Sequence, residues 1–267
     1  MSKRLDIYLV EHHYFKSRNL AQRAIKNEKV KVNNKIVTNK NYQVKENDEI
    51  ELINDELSFV SRGGYKLYKA LNYFNIDVSN YICLDIGAST GGFSDCLLKH
   101  SAKKVYALDV GSNQLDESLR NDPRIISMEQ TNFRYLNPNT LKDKIDLCVI
   151  DVSFISLYHI FEVLSTFKEE NLEVITLIKP QFETIRKNLN KHGVVKDKDV
   201  HYQILDHVCG FIKEFGFHLI DITFSPIQGE KSGNIEYLGY FNRNIETKKV
   251  DFKKVVDEAY LNFKVGK

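Results

Sequence analysis

The sequence predicts an α/β protein with a doubly wound, largely parallel sheet, preceded by a small α+β domain. Three observations predict this class. Apolar runs alternate with helix-forming stretches, a glycine-rich turn joins the first run of the larger part to a helix, and the last two runs are separated only by a loop. A length of 267 residues leaves room for one large and one small domain.

The first domain, predicted over 1–58, contains two helices and then short strands. Leu5, Tyr8 and Leu9 recur at helical spacing, and Ser17 is a candidate N-cap for a second helix. Alternating apolar and polar residues predict strands at the positions 29–32, 35–37 and 49–52.

Positive charge is concentrated in this first domain. The whole chain has a net charge of only +2, yet nine basic residues and one acid, Glu28, lie between Lys16 and Lys45. A charge run is commonly a solvated surface. Because this run coincides with one small folding unit, it favours a polyanionic partner.

The paired glycines Gly63 and Gly64 permit a bend, so residues 59–64 are predicted as the interdomain linker. The large domain then covers 65–267. Its first helix is predicted over 65–74, and further helices extend from the glycine turn to Leu97 and over 200–215 and 250–263. Seven strands are predicted, at 81–86, 105–110, 124–128, 146–151, 173–178, 217–224 and 235–241.

The glycine turn after the first of these strands is typical of a nucleotide-like cofactor site. Gly87 permits a tight turn, and Gly91 and Gly92 let a ligand approach the next helix. Asp109 ends the second strand, where an acid can accept hydrogen bonds from ribose hydroxyls, although a simple turn residue is the alternative. Ser89 replaces a glycine of the strict dinucleotide motif. This departure, with seven strands and a closing antiparallel pair, favours a Rossmann-like methyltransferase sheet over a nicotinamide site.

Four charged residues in local signatures are the candidate catalytic set: Lys66, Asp151, Lys179 and Glu236. Three lie at or near strand ends, where the catalytic groups of open α/β sheets collect. Two ammonium and two carboxylate groups suit the deprotonation of a hydroxyl, without a metal or a cysteine nucleophile. Singly, each also fits a solvated, capping or surface-paired role. Lys179 is the predicted base, with Lys66 as a neighbouring cation, but the sequence leaves open which lysine loses its proton.

The cysteines and the N-terminus predict a cytoplasmic protein. Cys83, Cys96, Cys148 and Cys209 lack paired spacing and lie among apolar neighbours, which indicates buried thiols in a reducing compartment. The sequence has neither a secretory signal nor the ~18 consecutive apolar residues of a membrane span.

Motifs along nearly the whole chain resemble those of the TlyA-type RNA 2′-O-methyltransferases, which join an RNA-binding module to an FtsJ-like catalytic domain. The main matching segments are 84–95, 109–111, 151–157, 177–183, 193–195 and 233–236. Ser94, Asn113 and Gln130 depart from the residues usual in the family, and only Gln130 is expected to alter contacts near the adenine. The first domain likewise resembles a small RNA-binding module first named for a ribosomal protein.

This resemblance implies S-adenosylmethionine as cofactor and ribosomal RNA or ribosomal subunits as partner, with the 2′-hydroxyl of cytidine as acceptor. It implies no protein partner, and it implies catalysis by the four charged residues. The implied cofactor-binding residues are Asp85, Gly87, Ser89, Thr90, Gly91, Gly92, Phe93, Asp109 and Asn132. The RNA-binding candidates are Arg4, Arg18, Arg23, Lys26, Lys31 and Arg62.

Three other functions compete with this interpretation. They are a catalytically inactive ribosome-assembly factor, a haemolysin, which is a name historically attached to the family, and a nicotinamide oxidoreductase. The intact glycine loop and charged set argue against the first, the missing signal and span against the second, and the loop sequence against the third. Oligomeric state and the choice between one or both ribosomal subunits stay open.

Overall fold

A computed structural model describes residues 3–12, 14–15, 17–26, 28–45, 47–52, 58–229, 233–245 and 250–264, with Arg23 as backbone only. The chain forms two compact units, Met1–Ser58 and Phe59–Lys267.

The first unit packs two helices on short antiparallel strands. Its elements are β1 (Lys3–Arg4), α1 (Leu5–Glu11), α2 (Arg18–Lys26), β2 (Val30–Val32), β3 (Lys35–Ile36), β4 (Gln43–Val44) and β5 (Ile50–Leu52). Strand β2 lies between β3 and β5, and β1 pairs with β4. Ser17 accepts a hydrogen bond from the Leu20 amide at 3.4 Å, in keeping with its predicted position at the start of α2. Leu5, Leu9 and Ile25 are fully buried in the core of this unit.

The second unit contains a seven-stranded sheet within the described residues. Its elements are α3 (Gly63–Phe74), β6 (Ile82–Ile86), α4 (Gly92–Lys99), β7 (Lys104–Leu108), α5 (Glu117–Arg120), β8 (Ile125–Met128), β9 (Leu147–Ile150), α6 (Leu157–Leu164), β10 (Glu173–Ile178), α7 (Lys198–Glu214), β11 (His218–Phe224), β12 (Tyr237–Asn242) and α8 (Phe252–Phe263). The strand order is β11-β12-β10-β9-β6-β7-β8, and β12 is antiparallel to both of its neighbours while the other pairs are parallel. The predicted doubly wound sheet with a terminal antiparallel pair is confirmed.

Apolar residues cover both faces of this sheet. Strand β9 is continuously buried, as expected for a central parallel strand. On one face the core includes Leu67 of α3 and Leu97 of α4, and on the other it includes Phe161 of α6 and Leu205 of α7. Because every strand except β12 runs the same way, the ends of these strands and the start of β12 form one edge, called here the carboxyl edge.

The structure corrects the expectation for the segment before α3. The chain bends at residues 60 and 61, just before the predicted position, and α3 begins at Gly63, so that both glycines are helical. Phe59 packs against the Tyr65 ring at 5.1 Å between centroids, and the Val60 amide donates to the Asp95 carboxylate at 2.8 Å. Residues 59–64, predicted as a linker, therefore pack on the second unit.

Candidate functional site

The carboxyl edge of the sheet brings the four charged residues together. Asp151 directly follows β9, Lys179 directly follows β10, and Glu236 directly precedes β12. The antiparallel register pairs Ile178 with Tyr237, which makes Lys179 and Glu236 neighbours across the two strands. Lys66 reaches the same place from the first turn of α3.

The four side chains form a continuous chain of ion pairs. Lys179 Nζ lies 2.6 Å from Asp151 Oδ1, and Lys66 Nζ lies 3.6 Å from Asp151 Oδ2. Lys66 Nζ also donates to Glu236 Oε2 at 2.7 Å. The exposed fractions of these side chains range from 4% at Glu236 to 21% at Asp151, so the charges interact with little screening by water. Asp151 is thus shared between the two lysines.

The ion pairs fix the charge states of two members. Burial alone would lower the pKa of Lys66, but the Asp151 and Glu236 carboxylates outweigh burial and raise the pKa of this ammonium. Burial likewise favours the neutral acid at Asp151, yet Lys66 and Lys179 hold the pKa of that carboxyl below its ordinary value. Lys66 is therefore a fixed cation and Asp151 a fixed anion near neutral pH.

Close packing of α3 against α4 positions Lys66. A Cβ atom on Gly92 would lie 2.9 Å from the Gly64 amide nitrogen and 3.2 Å from the Gly63 Cα atom. The same Cβ atom would overlap Ser61 Oγ, so a larger residue at position 92 would displace both the Ser61 side chain and the start of α3. The glycine pair that the sequence suggested as a bend is instead a packing surface that directs Lys66 toward the carboxyl edge.

The glycine loop between β6 and α4 lies directly beside Asp151. Gly87 has φ +87°, and a Cβ atom there would lie 2.6 Å from the Asp151 carbonyl oxygen. Gly91 has φ +92°, a conformation that glycine adopts at little cost, and it forms the N-cap of α4. The loop thus presents the N-terminus of α4, with its free amide hydrogens, next to the charged cluster.

The acid after β7 supports this loop. Asp109 accepts hydrogen bonds from the Ser89 amide at 2.8 Å and from the Gly111 amide at 2.7 Å. Ser89 itself has φ +49°, a left-handed conformation that the Asp109 contact stabilises. An ionised carboxylate has about four acceptor positions, so Asp109 keeps capacity for the hydroxyl groups of a ligand.

Asp85, near the end of β6, is a buried carboxyl whose hydrogen bonding is incomplete. Its side chain is fully buried, Oδ2 accepts from the Ser94 hydroxyl at 2.7 Å, and Oδ1 has no hydrogen-bond partner in the described part of the chain. Burial raises the pKa of Asp85 to about 7, against the hydrogen bonds from Ser94 and with a smaller contribution from the Asp151 charge. A buried carboxyl oxygen without a hydrogen-bond partner is rare in folded proteins, and this one lies directly beneath the glycine loop.

The other predicted cofactor residues differ in which of their groups a ligand could contact. The Phe93 side chain is buried in the core, so only its backbone is available at the start of α4. Thr90 lies in the loop, and its carbonyl accepts from the Asp116 amide at 3.2 Å. The exposed side chain of Asn132 caps a short 3₁₀ turn and accepts from the Arg134 amide at 3.1 Å.

Taken together, these residues fit S-adenosylmethionine. Gly87 and Gly91 hold the loop close to its neighbours, because a Cβ atom would collide with the Asp151 carbonyl at the first and with the Leu119 side chain at the second. Asp109 can accept hydrogen bonds from ribose hydroxyls. The partly exposed Asp109 carboxyl is the acid of this loop that a ligand can reach. Among the described residues no group of three or more His, Cys, Asp or Glu side chains is placed to hold a metal ion.

Three residues at this edge were not predicted as functional. Ser153 accepts a hydrogen bond from Lys179 Nζ at 2.9 Å. Val110, directly after Asp109, is 69% exposed, and Phe154 is 89% exposed with φ +63° and a ring 5.0 Å from that of Phe182. An apolar residue immediately after a strand-end acid is the sequence signal that could have identified Val110.

The RNA-binding candidates fall into two groups. Arg4 and Arg18 both bind Asp6, at 3.0 and 3.1 Å, and Asp6 is fully buried. Burial opposes ionisation of Asp6, but hydrogen bonds from Arg4, Gln22 and Arg18 lower its pKa to about 2. These two arginines therefore stabilise the first unit, whatever else they contact.

The remaining candidates are two lysines and an arginine of the first unit and one arginine of the second unit. Lys31 pairs with Glu51 at 3.3 Å, and Lys26 is exposed at the end of α2. Arg62 is half-buried at the N-cap of α3, in the second unit. The Arg23 side chain lies outside the described residues.

Comparison with known families defines the class of protein. Residues 59–243 match the family described as FtsJ-like methyltransferase, and residues 3–50 match the S4 domain. The first match covers more than half of the chain. The fold and the site thus define a methyltransferase of the FtsJ-like class.

Individual relatives narrow the class. The 16S/23S rRNA (cytidine-2′-O)-methyltransferase TlyA of Mycobacterium tuberculosis is 38% identical, over 88% of this chain and 87% of its own. The protein named Hemolysin A of Brachyspira hyodysenteriae is 48% identical, over 89% and 99% respectively. A solved structure of a candidate hemolysin from Streptococcus thermophilus, 38% identical, covers 98% of this chain and 97% of its own with a TM-score of 0.77. The chain belongs to the TlyA family.

Proposed function

We propose that this protein transfers the methyl group of S-adenosylmethionine to the 2′-hydroxyl of a cytidine ribose in ribosomal RNA. Large-subunit RNA is the first expected substrate and small-subunit RNA the second. The observation that carries the proposal is the buried chain of ion pairs through Lys66, Asp151, Lys179 and Glu236 beside the glycine loop. The name of the mycobacterial TlyA supports the nucleotide and the acceptor atom.

The reaction needs a base for the ribose hydroxyl and a group that holds its oxygen. When bound, S-adenosylmethionine supplies a methyl group already activated on a sulfonium. Lys66 faces two carboxylates and is held as a cation, which suits a hydrogen bond to the 2′-oxygen. Lys179 faces one carboxylate and the neutral Ser153 hydroxyl, so we assign the base role to Lys179, which accepts the hydroxyl proton after its ammonium group has released a proton to solvent.

The carboxylates orient the two lysines and balance their charge. Asp151 contacts both ammonium groups, and Glu236 anchors Lys66 from the opposite side. Because the side chains are held by packing and ion pairs before substrate arrives, little reorganisation is needed at the reacting oxygen.

The first unit supplies the RNA contacts in this proposal. A match to the S4 domain and the concentration of basic residues before Lys45 support binding to the phosphate backbone. Because the proposed substrate is ribosomal RNA, we propose a cytoplasmic location.

Substitution of Lys179 tests the proposed general base. Lys179→Ala is expected to abolish methyl transfer to unmodified ribosomal subunits while S-adenosylmethionine still binds in calorimetry, because the residue acts on the hydroxyl. Lys213→Ala is the matched control, since it removes an exposed lysine in the last turn of α7, at the opposite edge of the sheet. Wild-type turnover in Lys179→Ala would refute the assigned role, and failure to bind the cofactor would move the residue to the cofactor site.

Two alternative functions are separated by direct assays. A ribosome-assembly factor without catalysis would bind subunits and leave their RNA unmethylated. A haemolysin would release haemoglobin from erythrocytes, as the name of the spirochaete relative suggests for that protein. Among the residues that the structure describes, every helix is too short or too polar to cross a bilayer.

A further inference from the structure

A second concave surface lies beside the charged cluster, within the second unit. This groove has a volume of about 520 Å³ and is lined by Tyr65, Tyr68, Lys69, Asn72, Tyr73 and Pro226. It is a shallow, open surface and not an enclosed cavity. None of the lining residues belongs to the cofactor loop or to the set Lys66, Asp151, Lys179 and Glu236.

The groove begins near the charged cluster and runs along α3, so that Tyr73 lies seven residues, or about 10 Å, beyond Lys66. Its α3 residues share one helix face by their spacing, and Lys69 follows Lys66 by about one turn. Pro226 comes just after β11, whose last residue, Phe224, pairs with Tyr237 next to Glu236. Strands β11 and β10 flank β12, so the end of β11 lies roughly 10 Å from the end of β10, at ~4.8 Å per strand.

The lining combines aromatic rings with one cation. Tyr73 is 51% exposed, and the Lys69 ammonium donates to the Phe224 carbonyl at 2.6 Å and lies 3.5 Å from the centroid of the Phe224 ring. An ammonium has three donors, so this hydrogen bond leaves two for a ligand. Burial lowers the pKa of Lys69 to about 8 despite the opposing Glu258 carboxylate, and a bound anion would stabilise its charged form.

We propose that this groove binds a nucleotide of the substrate RNA next to the methylated one, with its base stacked on Tyr73 and its phosphate on Lys69. The inference rests on the proposed function and adds a second RNA contact to it. Sites for single-stranded nucleic acid combine aromatic stacking with nearby cations in this way. An apolar peptide would contact the rings but would offer no acceptor to the two remaining Lys69 donors.

The test is steady-state methylation of unmodified ribosomal subunits by the full-length protein. Tyr73→Ala is expected to raise KM for the subunits roughly 10-fold with kcat changed less than about 2-fold, because it removes a stacking ring that lies away from the reacting atoms. Tyr73→Phe keeps the ring and is expected to behave as wild type. In RNA-binding titrations, Lys69→Gln should reduce the slope of log affinity against log salt by about 0.7–0.9, and Lys213→Gln should leave it unchanged.

The outcomes separate this inference from the proposed function. An active wild-type enzyme, with unchanged KM in Tyr73→Ala and an unchanged salt slope in Lys69→Gln, would overturn the groove assignment and favour a protein occupant, while the proposed function stands. An inactive wild-type enzyme would refute the proposed function instead. The binding titrations with Lys69→Gln would then still decide whether the groove contacts RNA.

Discussion

At the scale of single residues, the site is a balance of two ammonium groups and two carboxylates in a poorly solvated place. Lys66 contacts both carboxylates, whereas Lys179 contacts only Asp151 and a hydroxyl. In the proposed mechanism this asymmetry assigns the two lysines different tasks, with Lys66 as a permanent cation and Lys179 as the proton acceptor. Asp151 is the member whose removal would affect both lysines at once.

Asp85 makes stability depend on pH. Its pKa is raised from 3.8 to about 7 in the folded state, mainly by burial. The folded protein therefore binds more protons between these values, and the free energy of unfolding falls as pH rises from about 4 to 7. Asp85→Asn is expected to remove this contribution, which is at most about 1.4 kcal/mol per pH unit.

Denaturant unfolding of both proteins between pH 4 and 8 measures the effect. Glu183, whose pKa burial raises to about 7, acts in the same direction, so wild type retains the larger slope and Asp85→Asn a smaller one. Parallel stability curves for the two proteins would contradict the account of Asp85.

At the scale of elements, the meeting of α3 and α4 decides whether Lys66 reaches the site. A Cβ atom on Gly92 would come too close to the backbone of Gly63 and Gly64 for a side chain to be accommodated there. The start of helix α6 is also held in place by a contact from another loop. Glu183 accepts hydrogen bonds there from the Ser156 hydroxyl at 2.6 Å and from the Leu157 amide at 2.7 Å. The loops after β9 and β10 are thereby joined.

A methyl group at Gly92 is expected to impair catalysis. Gly92→Ala should push α3 away and displace Lys66, so kcat should fall by at least about 10-fold, since small misplacements of catalytic groups cost much rate. The matched control is Gly210→Ala in α7, where a Cβ atom would meet nothing within 4 Å. Gly210→Ala is expected to keep full activity and to gain about 0.5–1 kcal/mol of stability from the helix preference for alanine. Equal kcat in Gly92→Ala and wild type would contradict the positioning role.

Features were predictable from the sequence where their signal lies within a short stretch of the chain, and not where it depends on tertiary contacts. The central strands were predictable because continuous apolar runs such as β9 are local signals. Two-residue strands β1 and β4 have no alternation to detect. The helical state of Gly63 and Gly64 was not predictable, because the need for glycine arises from tertiary packing, in which a Cβ atom on Gly64 would overlap the Phe59 side chain.

The same distinction applies to the site. Lys66, Asp151, Lys179 and Glu236 each lie in a recognisable local motif, and the structure brings them within ion-pair distance. Their catalytic roles stay predictions. The sequence could not predict the groove along α3, because it depends on which helix face meets the loop after β11.

At the scale of the whole molecule, two units carry two different matches, to the S4 domain and to the FtsJ-like methyltransferases. The basic residues concentrate in the first and the charged cluster lies in the second. In the proposed function, the contacts of the first unit with RNA can therefore be weakened without touching the catalytic residues of the second.

Charge removal in the first unit tests this division. Arg18 should be left intact, because its removal would take a partner from the buried Asp6 carboxylate and destabilise the unit. The double variant Arg23→Gln and Lys26→Gln is expected to weaken RNA binding and to reduce the salt slope by about 0.7–0.9 for each phosphate that is no longer neutralised. Filter binding across a salt series measures it. An unchanged affinity would show that α2 is not an RNA anchor.

The central claim is the identity of the methylated atom. Purified protein, labelled S-adenosylmethionine and separated unmodified ribosomal subunits are incubated, and the RNA is digested to nucleosides and analysed by mass spectrometry. The account predicts 2′-O-methylcytidine in the large-subunit RNA, present with wild type and absent with Lys179→Ala. A methyl group on a base, or no incorporation into either subunit by a protein that binds the cofactor, would contradict it.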